Sequence, residues 1–409
     1  MELTFLGGAR EVGRNAMLLR ADAASLLFDY GISPSDPPKY PRPAPALDAV
    51  LLTHAHLDHS GMLPALASRE DLPVIATPPS APVAELLAHD SLKICKIEGY
   101  PFPYSKEDVA ALARAWDLLR PGDSRTIKGL QIRAHSAGHI PGSVMYEVDD
   151  GSTTTVFTGD LNLIDTRLCA AAEPVPCDRL VVESTYSGRN HPDRRQTEER
   201  FLDAVSGVVS SGGRVVVPAF ATGRTQEILL LLLGQGYDVS LDGMGKTVTE
   251  IFLREGGFLR SARDLQKAFE EVHVVKTRHG RQRALDSDII VTTSGMMEGG
   301  PVLQYVDALR HDPKSAIFMT GYQVTGSGGR LLMDTGTLEV AGVRERVACE
   351  VLFFDFSAHA GHDELVKFAK ACGPEEIVLF HSDRPEALAE ALSDAATVHT
   401  PNVGDVIKF

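Results

Sequence analysis

Seven consecutive residues, Thr53-His54-Ala55-His56-Leu57-Asp58-His59, gather three imidazoles and a carboxylate directly after the apolar run Ala49–Leu52. Side chains at i and i+2 of an extended segment point the same way, so His54 and His56 can grip one metal ion from one face. The chain then turns, and Asp58 and His59 face a second position. Nitrogen and oxygen donors without thiolate suit zinc in a catalytic site, where a coordination position stays open to water or substrate. A polar loop with incidental histidines has no reason to keep the H-x-H-x-D-H spacing. Chance would produce it in roughly one such chain in a thousand.

A metal site needs more ligands, and the sequence offers them at the ends of apolar runs. His139 lies in Gly138-His-Ile-Pro-Gly-Ser143, Asp160 in Thr158-Gly-Asp-Leu161, Asp29 in Phe28-Asp-Tyr-Gly31, and His381 follows Ile377–Phe380. Taken singly, each is a common turn residue. Their shared place at strand C-termini is what makes them candidates, because open α/β sheets keep their sites at that edge.

The elements that must position these residues fall into two grammars. Up to about residue 186, short strands alternate with turns: Leu3–Leu6, Met17–Leu19, Leu26–Phe28, Ala49–Leu52, a hairpin of Val144–Val148 and Thr153–Phe157 around Asp149-Asp150-Gly151-Ser152, and Leu180–Val182 running into Glu183. From about Arg189, helices (Gln196–Val209, Thr225–Leu233) alternate with strands (Arg214–Val217, Val239–Leu241, Asp288–Thr292, Ala316–Met319), which predicts a parallel α/β unit. After about Arg346 the pattern is strand Val351–Phe356, helix Asp363–Ala371, strand Ile377–Phe380 and helix Pro385–Leu392.

Composition sets the outer limits. The 409 residues carry 40 Lys+Arg against 55 Asp+Glu, a net charge of −15, which argues against broad electrostatic coating of DNA but leaves room for a nucleic acid in one local groove. Residues 187–345 are near neutral, with 19 basic and 20 acidic residues, and within them Lys276, Arg278, Arg281 and Arg283 cluster around His279. An anionic substrate would lie against that wall. Five scattered cysteines without a C-x-x-C pair support neither a thiolate zinc site nor a disulfide framework and point to a reducing, cytoplasmic setting. No signal peptide is visible, and the longest aliphatic run, Ile228–Leu233, is far short of a membrane span.

With these motifs in place, the chain resembles the metallo-β-lactamase superfamily and, within it, the β-CASP nucleases. Glu183-Ser-Thr-Tyr186 is similar to the family's acidic motif A, Phe356-Ser-Ala-His359-Ala to motif B, and Leu379-Phe-His381 to motif C. Val217–Glu227, Leu241–Met244, Ser294–Pro301, Gly321–Gln323 and Gly328–Arg330 resemble its cap segments, in the family's order. The resemblance implies an αββα metallo-β-lactamase sandwich with an inserted β-CASP α/β cap: residues 1–186 as the first part of the sandwich, 187–345 as the cap and 346–409 as the return segment. It implies two zinc ions, one held by His54, His56 and His139, the other by Asp58, His59 and His381, with Asp160 bridging and Asp29 orienting ligands from behind. Glu183 would hydrogen-bond His359, the general acid. In this family Gly commonly follows motif C; here Ser382 does.

The activity so implied is hydrolysis of single-stranded RNA to 5′-phosphate and 3′-hydroxyl products in RNA processing, 3′-end formation or decay. His at motif C is what the RNA-cleaving branch carries, whereas the DNA-repair branch usually has an apolar residue there. Ser294, Gly295, Tyr322, Gln323, Lys276 and Arg278 are the expected substrate contacts. The chain is similar to the stand-alone archaeal-type relatives of the endonuclease subunit of the cleavage and polyadenylation specificity factor, which implies a homodimer and RNA-processing partner proteins. Competing readings are a DNA nuclease, a small-molecule hydrolase on the same core, and a non-catalytic scaffold subunit. Endonuclease and 5′→3′ exonuclease action stay open at this stage.

Overall fold

Leu3 and Phe5 pack into one core and Leu6 into another, and the same alternation separates Met17 and Leu19 from Leu18, and Leu26 and Phe28 from Leu27. Strands whose side chains are apolar on both faces must be covered on both faces. That requirement builds the first of the two compact units into which the chain divides, Met1–Asp165, Cys169–Asn190 and Ala358–Phe409; the second is Thr166–Leu168 and His191–Ser357. The computed structural model describes all residues except 22–23, 36, 70–71, 102, 325 and 341–342.

The first unit has two seven-stranded sheets. One runs Val406–Lys408, Glu2–Gly7, Ala16–Ala21, Ala24–Phe28, Ala49–Leu51, Val74–Ala76, Trp116–Leu118; the other runs Thr397–His399, Glu376–Phe380, Arg179–Glu183, Thr154–Phe157, Val144–Asp149, Leu130–Ser136, Ser124–Ile127. Their inner faces share one core, in which the rings of Phe28 and Phe157, one from each sheet, stack with centroids 3.7 Å apart. The outer face of the first sheet lies against Ser80–Glu98 and Lys106–Ala115, and that of the second against His362–Cys372 and Glu386–Leu392. The layers are therefore helix, sheet, sheet, helix.

The second unit is a parallel sheet in the order His273–Val274, Val239–Asp242, Ile289–Thr292, Val215–Pro218, Ala316–Met319, Glu350–Phe353, with apolar cores on both faces. Glu350–Phe353 pairs with Ala316–Met319, so the chain stays with the second unit until Ser357. A strand's own residues reveal that it is a strand, and only its partner decides which sheet it joins.

Candidate metal centre

Strand Ala49–Leu51 is fully buried, and the chain leaves its C-terminus as Leu52-Thr53-His54. Thr53 is fixed before the first ligand arrives: its N–H donates to Asp29 Oδ1 at 2.7 Å and its hydroxyl to Asp29 Oδ2 at 2.8 Å. Asp29 follows strand Ala24–Phe28 in a left-handed conformation (φ 57°), and His381 follows Glu376–Phe380 in the same way (φ 59°). Two non-glycine residues in this sparsely populated region, both at strand ends and both turned into one centre, are strain kept where the surrounding structure over-determines it.

Two glycines make the close approach possible. At Gly31 a Cβ would overlap the carbonyl of Asp58, and at Gly159 it would lie 2.6 Å from Cβ of Thr53. The first lets the short helix Leu57–Ser60, which carries Asp58 and His59, lie flat on the Asp29 loop. The second seats the loop that presents Asp160.

The donors gather into two groups around Asp160. His56 Nδ1 lies 3.0 Å from His54 Nε2 and 3.1 Å from His139 Nε2, while Asp160 Oδ2 lies 3.6 and 3.8 Å from those same two nitrogens. On the other side, Asp58 Oδ2 lies 3.1 Å from His381 Nε2 and 3.8 Å from His59 Nε2. There Asp160 Oδ1 is 3.3 Å from His59 Nε2 and 3.1 Å from His381 Nδ1. Ligands about 2.0–2.1 Å from a tetrahedral ion are about 3.3 Å from one another, a spacing close to these separations, although His381 meets Asp58 with Nε2 and Asp160 with Nδ1 and would give an ion only one of the two nitrogens. Asp160 Oδ1 is buried and, despite its two near nitrogens, makes no aligned hydrogen bond. A buried anionic oxygen whose neighbouring nitrogens are not aligned to donate suits a cation.

Protonation tells the same story. Burial pushes His54, His139 and His56 below the ordinary imidazole value, leaving neutral nitrogens with free lone pairs. Burial also opposes charge on His59 and His381, yet Asp160 and its neighbouring carboxylates overcome it. His59 is held well above its ordinary value and His381 is pushed up to about 10. Half-buried Asp58 and buried Asp160 are held below the carboxylate range by these imidazoles. Positive charge is favoured here, and a divalent cation competes for the same nitrogens as the protons. Behind the donors, His59 Nδ1 meets Asp29 Oδ2 at 2.7 Å and His139 Nδ1 meets the carbonyl of Ala358 at 2.6 Å, contacts that fix which ring nitrogen faces inward.

A third group adjoins the first two. Glu183, fully buried at the end of Arg179–Glu183, accepts from the N–H of Leu161 at 2.7 Å and lies 3.0 and 3.1 Å from His359 Nδ1. His359 Nε2 points to Asp160 Oδ2 at 3.8 Å, and His359 remains partly open to solvent. Burial works against charge on His359, but Glu183 and Asp160 raise its pKa above the ordinary value. The chemistry available is a cluster of metal donors with an imidazole beside it that holds its proton more firmly than a free one.

Asp29, His54, His56, Asp58, His59, His139, Asp160, Glu183, His359 and His381 therefore converge in the first unit. The expected substrate contacts are a different matter. Lys276, Arg278, Ser294, Gly295, Tyr322 and Gln323 belong to the second unit; Lys276, Arg278 and Tyr322 are exposed and Ser294 half-buried. Gly295 and Gln323 are buried, and Gln323 donates its amide to the carbonyls of Gly295 and Gly321, so it braces two turns instead of facing a substrate. Ser382 keeps its hydroxyl for the N–H of Arg384 at 3.2 Å. Sequence reasoning missed Asn15, whose buried amide lies 3.0 Å from His59 Nε2, and Thr53, whose hydroxyl ties Asp29 to the histidines. Thr53 opens the histidine motif and could have been found; an isolated Asn in a loop carries no such signal.

Comparison with known proteins gives the family. Residues 9–215 match the metallo-beta-lactamase superfamily, residues 225–332 the Beta-Casp domain and residues 344–401 the Zn-dependent metallo-hydrolase RNA specificity domain. A protein of Methanocaldococcus jannaschii named "Probable RNase MJ4" is 36% identical over 100% of both chains. "RNase aCSPSF2" of Saccharolobus solfataricus is 35% identical over 100% of this chain and 85% of its own. The crystal structure of an Enterococcus faecalis protein of unknown function superposes with TM-score 0.65 over 99% of each chain at 15% identity, a likeness of fold alone.

Proposed function

Since the chain belongs to the metallo-β-lactamase superfamily and carries its Beta-Casp domain, we propose that it is a two-zinc ribonuclease that hydrolyses single-stranded RNA to 5′-phosphate and 3′-hydroxyl products. The chain is a metal-dependent hydrolase, and the relatives named as RNases support RNA as its substrate. The observation that carries the reading is the position of Asp160, with one carboxylate oxygen turned to the His54–His139 group and the other to the His59–His381 group.

His54, His56 and His139 would hold one zinc and Asp58, His59 and His381 the other, with Asp160 shared. Bound there, such ions would supply Lewis-acid charge for the phosphate and would lower the pKa of water toward neutrality. The chain's own residues do the rest. Asp29 and the Ala358 carbonyl keep the His59 and His139 rings in register. Glu183 holds His359 by Nδ1, which leaves Nε2 to carry the proton, and the ribose 3′-oxygen takes that proton as the P–O bond breaks. No helix is long and apolar enough to cross a membrane among the described residues, and RNA hydrolysis would take place in the cytoplasm.

The test uses internally labelled single-stranded RNA and matched DNA, each with a 5′-monophosphate or a 5′-hydroxyl end, and zinc analysis of the same protein. Fragments with 5′-phosphates from RNA, absent with Asp160→Ala, are expected. Internal fragments would mark an endonuclease, and mononucleotides from 5′-monophosphate RNA alone an exonuclease. Intact RNA in the presence of two bound zinc ions would overturn the reading.

A further inference from the structure

Away from the metal centre, two cysteines separated by nearly half of the chain meet. Cys177 precedes strand Arg179–Glu183, and Cys372 ends helix His362–Cys372, just before strand Glu376–Phe380. The Cys177 N–H donates to the Cys372 carbonyl at 3.1 Å. A backbone bond of that length sets two Cα atoms roughly 5–6 Å apart, inside the roughly 4.4–6.8 Å that a disulfide spans. Both side chains join the same apolar cluster, Cys372 buried and Cys177 partly open. Beyond them the chain is locked: Glu375 N–H donates to the Asp178 carbonyl at 2.9 Å, and the two strands pair in parallel from Arg179 with Glu376 to Glu183 with Phe380.

We propose that Cys177 and Cys372 form a two-thiol oxidation site that closes into a disulfide under a two-electron oxidant of the peroxide class. One sulfur attacks a peroxide oxygen, the O–O bond breaks, and a molecule of water leaves the sulfur as a sulfenic acid. The second sulfur attacks it, the S–O bond breaks and a second water leaves. Two S–H bonds become one S–S bond; the sulfurs lose two electrons and the peroxide oxygens gain them. Each thiol acts on the other, holding Cys177 up and Cys372 down in pKa, so one member of the pair is the readier thiolate.

The position of the bridge decides what it does. It joins the N-terminal ends of two adjacent strands whose C-terminal ends deliver Glu183 and His381, so it leaves the metal centre as it is. It closes a loop of about 195 residues that contains nearly all of the second unit. A covalent link across so long a loop removes much of the freedom of the unfolded chain.

The experiment treats the full chain with hydrogen peroxide, blocks the remaining thiols, and maps non-reduced peptides by mass. The expected result is one cross-linked peptide holding Cys177 and Cys372, about 2 Da lighter than the sum of its parts. The oxidised protein should melt at least about 5 °C higher, fall back with dithiothreitol, and keep its hydrolytic rate within about two-fold. In Cys177→Ser, the melting shift should vanish. Peroxide that leaves both thiols free, bridges either one to another cysteine, or adds about 32 Da of oxygen to Cys177 without a bridge would overturn the proposal. The peptide map of the wild-type chain decides this even if the variant fails to fold, and it decides independently of whether the protein cleaves RNA.

Discussion

At the scale of single residues, the proposed function divides the chemistry between Asp160, for metal binding, and His359, for proton transfer, and each can be removed without the other. Asp160 places one oxygen within 3.8 Å of His54 and His139 and the other within 3.3 Å of His59 and His381. Asp160→Asn keeps the shape and loses the charge, so zinc should fall from about two per chain to one or fewer, with activity down by about a thousand-fold. Elemental analysis showing two zinc ions in the variant would remove Asp160 as the bridge. His359→Ala should lose about 10²–10⁴ in kcat at full zinc content, because it alone presents an imidazole held from behind by Glu183. The pH dependence follows. His359 has a raised pKa, so its proton is kept to higher pH than on a free imidazole and lost as pH rises through that value, and the rate should fall there. Glu183→Gln removes the carboxylate that outweighs burial, so the alkaline limb of kcat/KM should move to lower pH. A limb that stays in place would mean another group is the acid.

At the scale of elements, the centre depends on turns that hold strand ends closer than most residues permit. Gly31→Ala would drive a methyl into the Asp58 carbonyl, which must then retreat and take His59 with it. The variant should fold, lose about 1–3 kcal/mol to overpacking, and release one zinc more readily than the other in a chelator titration. Equal release of both ions would disconnect Gly31 from the second group. The hairpin Val144–Asp149 with Thr154–Phe157 gives a separate test, of stability alone. Asp150 accepts from the Ser152 hydroxyl and N–H and from the Thr153 N–H, and these bonds lower its carboxyl to about 2. A depressed carboxyl stabilises the fold above its unfolded value of about 4 and ceases to do so as pH falls toward 2. The stability gap between wild type and Asp150→Asn should therefore be widest near neutral pH and close below about pH 3 in urea titrations; a gap independent of pH would show that the carboxylate charge contributes nothing.

At the scale of the whole molecule, what could be read from the sequence was whatever a short stretch decides for itself. A buried strand, the turn after it and the ligand on that turn are neighbours in sequence, so His54, His56, Asp58 and His59 announced themselves, and His139, Asp160, Asp29 and His381 followed from standing at strand ends. Pairings across the chain were closed to that reading: Asn15 with His59, Cys177 with Cys372, and the choice of sheet for Glu350–Phe353. Burial is likewise a tertiary property, which is why Gln323 looked like a substrate contact and is a brace. Charge is the one long-range quantity the sequence does carry, and it predicts how RNA is held. With a net charge of −15, the protein must grip RNA through a few cations set in an otherwise repelling surface. Each phosphate neutralised on single-stranded RNA adds about −0.7 to the slope of log K against log salt. A grip of three or four phosphates gives a slope of about −2 to −3. Lys276→Ala and Arg278→Ala, at exposed positions in the near-neutral second unit, should each make it shallower by about 0.7 while leaving zinc content unchanged. Affinity measured across salt with a catalytically silent His359→Ala background separates binding from cleavage. A slope steeper than about −6, or one indifferent to both substitutions, would place the phosphate contacts elsewhere on the molecule.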